Sequence, residues 1–298
     1  MTQRSVVVRP SAKINLTLRV GPLRADGYHD VRTLLQSIGI ADTLTVSARR
    51  GPFALVSRAP GVPADESNLV WKAAKALWTA AGRSGEPKDA HVRLEKVIPH
   101  EAGLGGGSAD AAAALSALNT IWELRMSKKE LHKVAATLGA DVPFFLMGGT
   151  AIGTGKGEEL YPVDDVTRLG VVIVKPSFGV STASAYRWLD EDRVAGKPDV
   201  ETERVREVHV GWANDPLMIT NDLEAPVVRR HPEIMEVIEA CYREGAQVAA
   251  MTGSGSAVFG LFSEKVAPVA GRKLQRPDWL VAVTRTLNRR EASRRIGL

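Results

Sequence analysis

The part of the chain best suited to chemistry is a glycine-rich run directly in front of an alanine-rich segment. It reads IPHEAGLGGGSADAAAAL over residues 98–115. Glycine costs roughly 0.5–1 kcal/mol relative to alanine where the backbone must be ordered, so the bare backbone must serve a purpose here. A helix predicted to begin near Ser108 offers free amides and about half a positive charge at its first turn. Because glycines let an anion approach such amides closely, the run predicts a polyphosphate-binding loop.

Three better-known motifs do not fit this run. A P-loop needs Gly-Lys-Ser/Thr, but no lysine follows Gly107, and in the segment GTGKGEE the residue after Lys156 is glycine. The dinucleotide fingerprint, if it starts at Gly103, needs a glycine at its sixth position, but that position holds Ser108. A zinc-binding HExxH motif starting at His100 is excluded, because Leu104 occupies the position of the second histidine. A merely flexible loop with Ser108 as a helix N-cap stays open as the alternative.

Several elements are predicted to position this loop. Alternating apolar and polar residues predict strands over 13–20 and 42–48. Helical spacing over 67–82 predicts a helix that closes on a glycine. The segment 91–99 is predicted to be the strand that leads into the loop, and a helix is predicted from about 108 to 122.

The chain beyond the loop divides into further elements. A capping box of Ser127 and Glu130 predicts a helix start, and Gly139 is predicted to stop that helix in the left-handed conformation. Other predictions follow the same patterns: a glycine-rich connection (149–160), a buried strand (169–176), a variable insert (190–215), a helix (232–244) and two apolar runs joined by a small-residue turn (247–262). The glycine-rich stretch separates two α/β patterns, which predicts domains at 1–163 and 164–298.

The composition of the chain limits the classes of partner that it can bind. The chain has 298 residues, 44% of them hydrophobic, with a formal net charge of +5 and a pI near 9.4, which suits anionic small molecules. Nucleic acid is the weaker interpretation, because the basic residues are spread and aromatics are only 5%. The basic cluster over 285–295 is expected to be a solvated tail.

No apolar stretch approaches the roughly 20 residues of a membrane helix, so no membrane partner is expected. The single Cys241 forms no intrachain disulfide and is expected to pack in a helix of a cytoplasmic protein.

Three motifs in order give the chain a family resemblance. The glycine loop matches the pattern Pro-x-x-x-Gly-Leu-Gly-Gly/Ser-Gly/Ser-Ser as PHEAGLGGGS over 99–108. It is preceded by PSAKINLTLRV over 10–20 and followed by MTGSGSAVFG over 251–260. In these motifs the chain resembles the GHMP kinase superfamily over nearly its whole length. The resemblance implies an α/β (α+β) fold of two domains, a mixed-sheet N-terminal one and a sheet-and-helix C-terminal one, with the active site in the cleft between them.

The resemblance also narrows the expected substrate. AKINL, ADGYHDVRTLLQSI (25–38) and LGADVPFFL (138–146) look like the branch of the superfamily that acts on a cytidine diphosphate ester. That branch transfers the γ-phosphate of ATP, with Mg²⁺, to a tertiary 2-hydroxyl of a methylerythritol unit in the non-mevalonate isoprenoid pathway. The implied partner is therefore a small molecule with a cytidine diphosphate group. Whether the chain is a monomer or a homodimer is left open.

The resemblance assigns roles to residues of this chain. Lys13 and Asp141 match the catalytic pair, and a magnesium ion bridging the phosphates is expected to touch Ser108. The ATP-binding residues are expected to be Pro99, His100, Glu101, Ala102, Gly103, Leu104, Gly105, Gly106, Gly107, Ser108, Ala109 and, near the adenine, Asn68. The substrate-binding residues are expected to be Asn15, Tyr28, His29, Thr182 and Tyr186, with Tyr28 stacking on cytosine and His29 hydrogen-bonding its polar edge.

Several residues have a plainer interpretation beside the functional one. Asp141 precedes a predicted helix start and could simply cap it, while Lys13 on a strand would ordinarily be a solvated surface lysine. Tyr28 could fill the core, and His29 could supply polarity to a turn. The segment TGSGSA could be only a hairpin turn. Glu101 departs from the family pattern, since its carboxylate would repel ATP unless it points outward or binds magnesium.

Two rival functions remain from sequence alone. One is another GHMP-type kinase that acts on a small alcohol resembling homoserine or mevalonate. The other is a nucleotide-binding protein that kept the fold and lost catalysis, although intact Lys13 and Asp141 argue against it.

Overall fold

The computed structural model describes residues 4–198, 206–209, 211 and 216–298, and it forms an α/β (α+β) fold of several mixed and antiparallel sheets. The N-terminal half contributes strands β1 (Ser5–Val8), β2 (Ser11–Leu23), β3 (His29–Ala41), β4 (Thr43–Pro52), β5 (Ala54–Ser57), β6 (Lys88–Glu95), β7 (Thr150–Thr154) and β8 (Glu159–Pro162). Its helices are α1 (Leu69–Ala80), α2 (Gly106–Ile121), α3 (Lys128–Ala136) and α4 (Val142–Met147).

The C-terminal half contributes strands β9 (Gly170–Pro176), β10 (Glu207–Val208), β11 (Leu217–Met218), β12 (Thr220–Asn221), β13 (Val248–Met251), β14 (Val258–Phe262) and β15 (Trp279–Arg285). Its helices are α5 (Thr182–Val194), α6 (Glu224–Arg230), α7 (Glu233–Arg243), α8 (Ala267–Lys273) and α9 (Arg289–Arg295).

The N-terminal sheets are mixed, as the resemblance implies. One has the order β1-β4-β6-β5, in which only β5 and β6 run parallel. The other has the order β12-β2-β3-β7-β8, in which β12 runs parallel to β2 and the other neighbours are antiparallel. The C-terminal sheet, β13-β14-β9-β15, is antiparallel throughout and is covered by helices.

Helix α2 lies at the centre of the N-terminal half. Nearly all of its residues from Ala109 onward are buried, and it contacts α1, α3, α4 and β4. Alanine side chains are small, so neighbouring elements can pack close to the helix axis on every side. The buried helix therefore gives the glycine loop before it a rigid support.

The predicted boundary between residues 163 and 164 stays a prediction. It falls between the end of β8 at Pro162 and the start of β9 at Gly170. Two elements from beyond it return to the N-terminal half, since β12 pairs with β2 and α9 packs against α4.

Most predicted elements are present, and several boundaries move. The capping box of Ser127 and Glu130 is confirmed at the start of α3. That helix ends earlier than predicted, at Ala136 with Thr137 as its C-cap. Gly139 has a φ of 157° and lies beyond the end of the helix, so it does not stop it.

Two predictions for irregular segments need correction, the second only in its first residues. The connection 149–160 is largely the hairpin of β7 and β8, because backbone pairing rather than side-chain pattern forms it. The first residues of the predicted insert 190–215 belong to α5, which continues to Val194, while 199–205, 210 and 212–215 lie outside the described residues.

The basic C-terminus is a packed helix instead of a solvated tail. Asn288 and Glu291 form a second capping box at the start of α9, and Arg285 pairs with Glu291. The Arg295 guanidinium donates to the Ser11 hydroxyl at 3.1 Å and to the Gly39 carbonyl at 2.9 Å. Several of these arginines therefore hold the C-terminus against the N-terminal half.

Candidate active site

The glycine loop joins β6 to α2 and has the backbone shape that glycine requires. Gly103 and Gly105 both have a φ of +71°, a left-handed conformation that L side chains rarely adopt. A Cβ at Gly103 would lie 2.0 Å from the carbonyl oxygen of Thr252, and one at Gly105 would lie 2.6 Å from the Phe145 ring. The loop is therefore pressed between neighbouring elements, and it has no room for side chains at these positions.

The helix after the loop begins two residues earlier than predicted. Gly105 is the N-cap of α2 and makes no side-chain cap bond, so the prediction of Ser108 as the N-cap is wrong. Ser108 lies in the first turn and lines the same cavity as Gly105, Gly106 and Gly107. This first turn is the part of a helix that attracts anions.

The loop forms one wall of a cavity of about 630 Å³. The cavity unites most of the residues that the sequence suggested. The predicted site residues in its lining are Lys13, Asn15, Pro99, His100, Glu101, Ala102, Gly103, Leu104, Gly105, Gly106, Gly107, Ser108, Asp141, Thr182 and Tyr186. Asn68, Ala109, Tyr28 and His29 lie outside the lining.

Lys13 is buried in β2 with its ammonium group directed toward the cavity. The expectation of a solvated lysine is wrong, since the residue is only 4% exposed. Its Nζ donates to Asn15 Oδ1 at 2.5 Å and lies 4.0 Å from Asp141 Oδ2. Burial lowers the pKa of Lys13, and the nearby Asp141 carboxylate opposes that shift. An ammonium with few waters around it acts strongly on any negative charge brought next to it.

Asp141 occupies the N-cap position of α4 without capping it. Its backbone is in the right-handed helical conformation, and its side chain makes no cap hydrogen bond. The capping interpretation therefore does not account for the carboxylate. With 41% of its side chain exposed, Asp141 faces the cavity and is free to contact a substrate.

Asn15 anchors Lys13, which the sequence did not reveal. Its Oδ1 accepts from Lys13, and its Nδ2 donates to Thr33 Oγ1 at 2.8 Å. Its backbone N donates to Thr252 Oγ1 at 3.0 Å. These bonds fix the lysine between two strands, while the predicted contact of Asn15 with a substrate stays a prediction.

Tyr186, which lines the cavity, packs against the ring of His29. His29 is buried, and its ring lies 5.2 Å from the Tyr186 ring, centroid to centroid. The Nε2 atom of His29 lies 2.9 Å from Asp190 Oδ1, a contact that sequence reasoning missed. Burial, reinforced by Asp141, raises the pKa of Tyr186 to about 12, so its hydroxyl stays protonated.

Tyr28 is exposed, which removes the interpretation that it fills the core. The residue is 58% exposed, and the Lys156 ammonium lies 3.9 Å from its ring centroid. Lys156 also pairs with Asp26 at 3.2 Å and lines the cavity. In the sequence Lys156 stands out only because it fails to complete a P-loop, and its place beside Tyr28 depends on the β7–β8 turn.

The remaining predicted residues have defined local roles. Asn68 is the N-cap of α1, where its side chain accepts from Val70 N and donates to the Pro63 carbonyl. Its predicted place near the adenine stays a prediction, although the next residue, Leu69, lines the cavity. Thr182 begins α5, and its hydroxyl lies 3.2 Å from that of Ser254.

The segment TGSGSA is a hairpin turn that also contacts the glycine loop. It joins the antiparallel strands β13 and β14, and Ser256 N donates to the Glu101 carbonyl. The Ser256 hydroxyl donates to the Phe178 carbonyl at 2.6 Å. The hairpin interpretation is therefore confirmed, and the same turn connects the glycine loop to the residues before α5.

Glu101 turns its carboxylate away from the amides of α2. The residue has a φ of +48°, and a Cβ built on Gly179 would lie 2.4 Å from its Oε2 atom. Lys175 lies near enough for Glu101 to act on its pKa, which burial lowers and Glu101 tends to raise. The carboxylate thus lies against the segment before α5, as the outward-pointing alternative for Glu101 requires.

The protein side chains do not by themselves suggest a tight metal site. Among the described residues, no group of three or more histidine, cysteine, aspartate or glutamate side chains could hold an ion. Magnesium commonly binds through substrate phosphates and waters with one or two protein ligands. The Ser108 hydroxyl beside the loop fits that mode.

Cys241 takes no part in this site. It is fully buried in α7, and burial raises the pKa of its thiol to about 12. Such a thiol is inert, which confirms the prediction that Cys241 serves packing.

Comparison with known proteins agrees with this geometry. The model of the GHMP kinases N terminal domain matches residues 68–149, and that of the GHMP kinases C terminal matches residues 206–277. A relative from Pelotomaculum thermopropionicum is 44% identical over 284 residues, which cover 94% of this chain and 97% of the relative. The chain therefore belongs to the GHMP kinases.

The relatives within that family point to one branch. The protein from Pelotomaculum thermopropionicum is named 4-diphosphocytidyl-2-C-methyl-D-erythritol kinase. A solved structure of 4-(cytidine 5'-diphospho)-2C-methyl-D-erythritol kinase is 35% identical, with a TM-score of 0.75 over 94% of this chain and 99% of that one. A homoserine kinase from Cytophaga hutchinsonii shares the fold, with a TM-score of 0.66 at 17% identity over 98% and 97% of the two chains.

As for membranes, the helices within the described ranges are all too short or too polar to cross one.

Proposed function

We propose that the chain is a 4-diphosphocytidyl-2-C-methyl-D-erythritol kinase, which transfers the γ-phosphoryl group of ATP to the 2-hydroxyl of that substrate. The observation that carries the proposal is the single cavity in which a glycine loop and a Lys13–Asp141 pair face each other. Relatives of nearly full length carry the same name. The proposed place of the reaction is the non-mevalonate route to isoprenoid precursors.

ATP would be held by its phosphates at the start of α2. The free amides from Gly105 to Ser108 and the helix dipole attract the anionic chain. Leu69, which lines the cavity, would supply apolar surface for the adenine. The γ-phosphoryl group would then point across the cavity toward Asp141.

Phosphoryl transfer depends mainly on position and on neutralising charge at the transferred group. A tertiary alcohol is crowded, so its oxygen must be aimed in line with the bond that breaks. We assign that aim to Asp141, which accepts the hydroxyl proton as the new O–P bond forms and ADP leaves. The Lys13 ammonium, 4.0 Å from Asp141 Oδ2, would stabilise the negative charge that develops on the phosphoryl oxygens.

A magnesium ion would enter with the nucleotide and would take few ligands from the protein. Ser108 is the protein group that we place next to it, since its hydroxyl lines the cavity in the first turn of α2. The ion when bound neutralises charge on the phosphates. The protein side chains need only keep the phosphates in place.

The cytosine would lie beside Tyr186 and Thr182, which line the cavity, and would reach the ring of Tyr28 next to it. Tyr28 offers an exposed ring, Tyr186 lies across from His29, and Thr182 lies at the start of the same helix. A pyrimidine stacks on such rings with about 1–3 kcal/mol per base. Lys156, which lies over the Tyr28 ring and lines the cavity, would neutralise the diphosphate of the substrate.

A coupled assay of ADP release tests this proposal and its rival. The purified chain is given ATP and Mg²⁺ with the cytidine substrate, with homoserine or with mevalonate in separate reactions. We expect turnover with the cytidine substrate alone, and phosphorylation at its 2-hydroxyl by NMR. Turnover of homoserine or mevalonate would favour the other kinase classes, and binding of ATP without turnover of any alcohol would favour a non-catalytic protein.

A further inference from the structure

A buried group of three charged side chains lies beneath the glycine loop, outside the roles described so far. It consists of Asp42, which follows β3, Lys96, which follows β6, and Asp110, which lies in α2. Asp42 and Asp110 are 0% and 3% exposed. The group, named here the loop clamp, joins three elements that meet at the ends of the loop.

The contacts in the loop clamp are short and directed. The Lys96 ammonium donates to Asp42 Oδ2 at 2.5 Å and to Asp110 Oδ2 at 2.6 Å. The other oxygen of Asp42 accepts from the backbone N atoms of Val97 and Ile98. One lysine thus ties the entry of the loop to the helix that leaves it.

The loop clamp is costly to bury, which argues that it does more than fill space. Two buried carboxylates share one ammonium, and Asp110 Oδ1 has no hydrogen-bond partner among the described residues. Burial raises the pKa of Asp110 well above its usual range, and the Lys96 ammonium opposes that shift. Apolar side chains of the same volume would often give equal or better stability at such a place.

The position of Lys96 links the loop clamp to the backbone that would bind phosphate. A Cβ at Gly106 would lie 3.2 Å from Lys96 Nζ and 2.9 Å from Ile98 Cγ2. The first helical residue of α2 therefore rests on the side chains that the loop clamp holds. A shift of Lys96 would move the amides of the first turn.

We propose that Asp42, Lys96 and Asp110 are positioning residues that fix the first turn of α2 for the phosphates of the nucleotide. Asp42 and Asp110 do not line the cavity, so they would act through Lys96 and the backbone. The proposal rests on the proposed function, since it assumes that the first turn of α2 binds ATP.

Two substitutions at Asp110 form the test. Asp110→Asn keeps an oxygen that accepts from Lys96 but removes its charge, and charged hydrogen bonds are roughly twice as strong as neutral ones, so we expect about threefold weaker nucleotide binding. Asp110→Ala removes the acceptor and leaves Lys96 partly unpaired, so we expect a loss of about tenfold or more. Binding of a non-hydrolysable ATP analogue with Mg²⁺ is measured by calorimetry, and thermal unfolding is measured in parallel.

The control is Asp165→Ala. Asp165 accepts from the backbone N atoms of Thr150 and Arg289, and it lies outside the cavity lining. Its loss should lower the unfolding temperature without changing nucleotide affinity. For the Asp110 variants we expect the KM for ATP to rise while kcat at saturating ATP and the KM for the alcohol stay near wild type.

The outcomes separate the two proposals. If the wild type does not bind the ATP analogue, the proposed function fails first. If the wild type binds it and Asp110→Asn binds it equally well, the loop clamp does not position the phosphates, even if Asp110→Ala fails to fold. A rise in both KM values with the Asp165 control unaffected would also overturn it.

Discussion

Asp141 is available for catalysis because the backbone begins α4 without help from its side chain. The residue stands at the N-cap with a right-handed backbone, and its carboxylate instead lies 4.0 Å from the Lys13 ammonium. A carboxylate with this freedom can hold a hydroxyl group in line with a phosphoryl group.

Replacing Asp141 by asparagine tests that role. Asp141→Asn keeps the shape but cannot take the proton, so kcat should fall by between about 10²- and 10⁴-fold. The KM for ATP should change little, since the nucleotide is held at α2. Asp164→Asn, at an exposed carboxylate outside the cavity, is the control and should leave kcat unchanged. A normal rate for Asp141→Asn would show that the mechanism is wrong even if the fold is right.

The burial of Lys13 predicts the pH dependence of the reaction. Its pKa is lowered from the ordinary value of 10.5, so the ammonium loses its proton at a lower pH than an exposed lysine does. Activity needs the charged form, and kcat should therefore be full below the lowered pKa and fall as the pH rises through it. A pH profile of kcat measures this. Activity that persists above pH 10.5, or a Lys13→Met variant that remains active, would contradict the assignment.

Tyr28 is predicted to affect the KM for the cytidine substrate and not the KM for ATP. Tyr28→Ala removes the ring on which cytosine would stack, so the KM for the cytidine substrate should rise by roughly tenfold. Tyr28→Phe keeps the ring and should restore most of the affinity. Steady-state kinetics with each substrate varied in turn would measure the difference. Equal KM values for all three proteins would remove Tyr28 from the pocket.

At the level of elements, the glycine loop depends on backbone geometry that few substitutions tolerate. Gly103 needs a left-handed φ and lies against Thr252 O, whereas Gly107 has an ordinary φ and open space beyond Leu69 Cδ1 at 3.5 Å. A side chain forced into the left-handed conformation of Gly103 costs of order 1–3 kcal/mol.

These two glycines form a matched pair for mutagenesis. Gly103→Ala should lower the free energy of unfolding by about 1–3 kcal/mol and weaken nucleotide binding, because the loop must move away from Thr252. Gly107→Ala should be tolerated, since alanine favours the helix there. Denaturant unfolding and nucleotide titration measure both effects. A Gly103→Ala protein as stable as wild type would contradict the close packing described here.

Sequence signals confined to one turn, such as capping boxes, predicted secondary structure well. They did not predict contacts between segments far apart in the chain. The capping box of Ser127 and Glu130 predicted the start of α3, because both partners lie within one turn. The same signal at Asn288 and Glu291 was present and was missed in favour of a solvated tail. The motif order identified the glycine loop and Lys13, but the burial of Lys13 depends on strands and loops far apart in the chain.

The partners of site residues were the least predictable part. Asp190 beside His29 and Lys156 beside Tyr28 are separated from them by more than a hundred residues. The hairpin of β7 and β8, which places Lys156, forms through backbone pairing that apolar periodicity does not reveal.

At the level of the whole molecule, the C-terminal helix α9 is hydrogen-bonded to the first strands of the N-terminal half. Arg9 N donates to the Arg295 carbonyl at 2.7 Å, and the Arg295 guanidinium bonds Ser11 and Gly39 at the start of β2 and the end of β3. Because β2 carries Lys13, these contacts support the strand on which the active site depends.

Neighbouring arginines in α9 should differ sharply in their contribution to stability. Arg295→Ala removes two hydrogen bonds from a half-buried site, so the free energy of unfolding should fall by about 1–3 kcal/mol. Arg294→Ala, on the exposed side, should change it by less than about 0.5 kcal/mol. Thermal or denaturant unfolding measures the pair. Equal effects of the two substitutions would restore the interpretation of this segment as a solvated tail.

The most direct test of the central claim is a crystal structure with a non-hydrolysable ATP analogue, Mg²⁺ and the cytidine substrate bound together. The account predicts phosphate oxygens against the amides of Gly105–Ser108, with the γ-phosphorus facing the substrate 2-hydroxyl at roughly 3–3.5 Å and Asp141 beside that hydroxyl. A triphosphate bound elsewhere in the molecule, or a hydroxyl remote from Lys13 and Asp141, would contradict it.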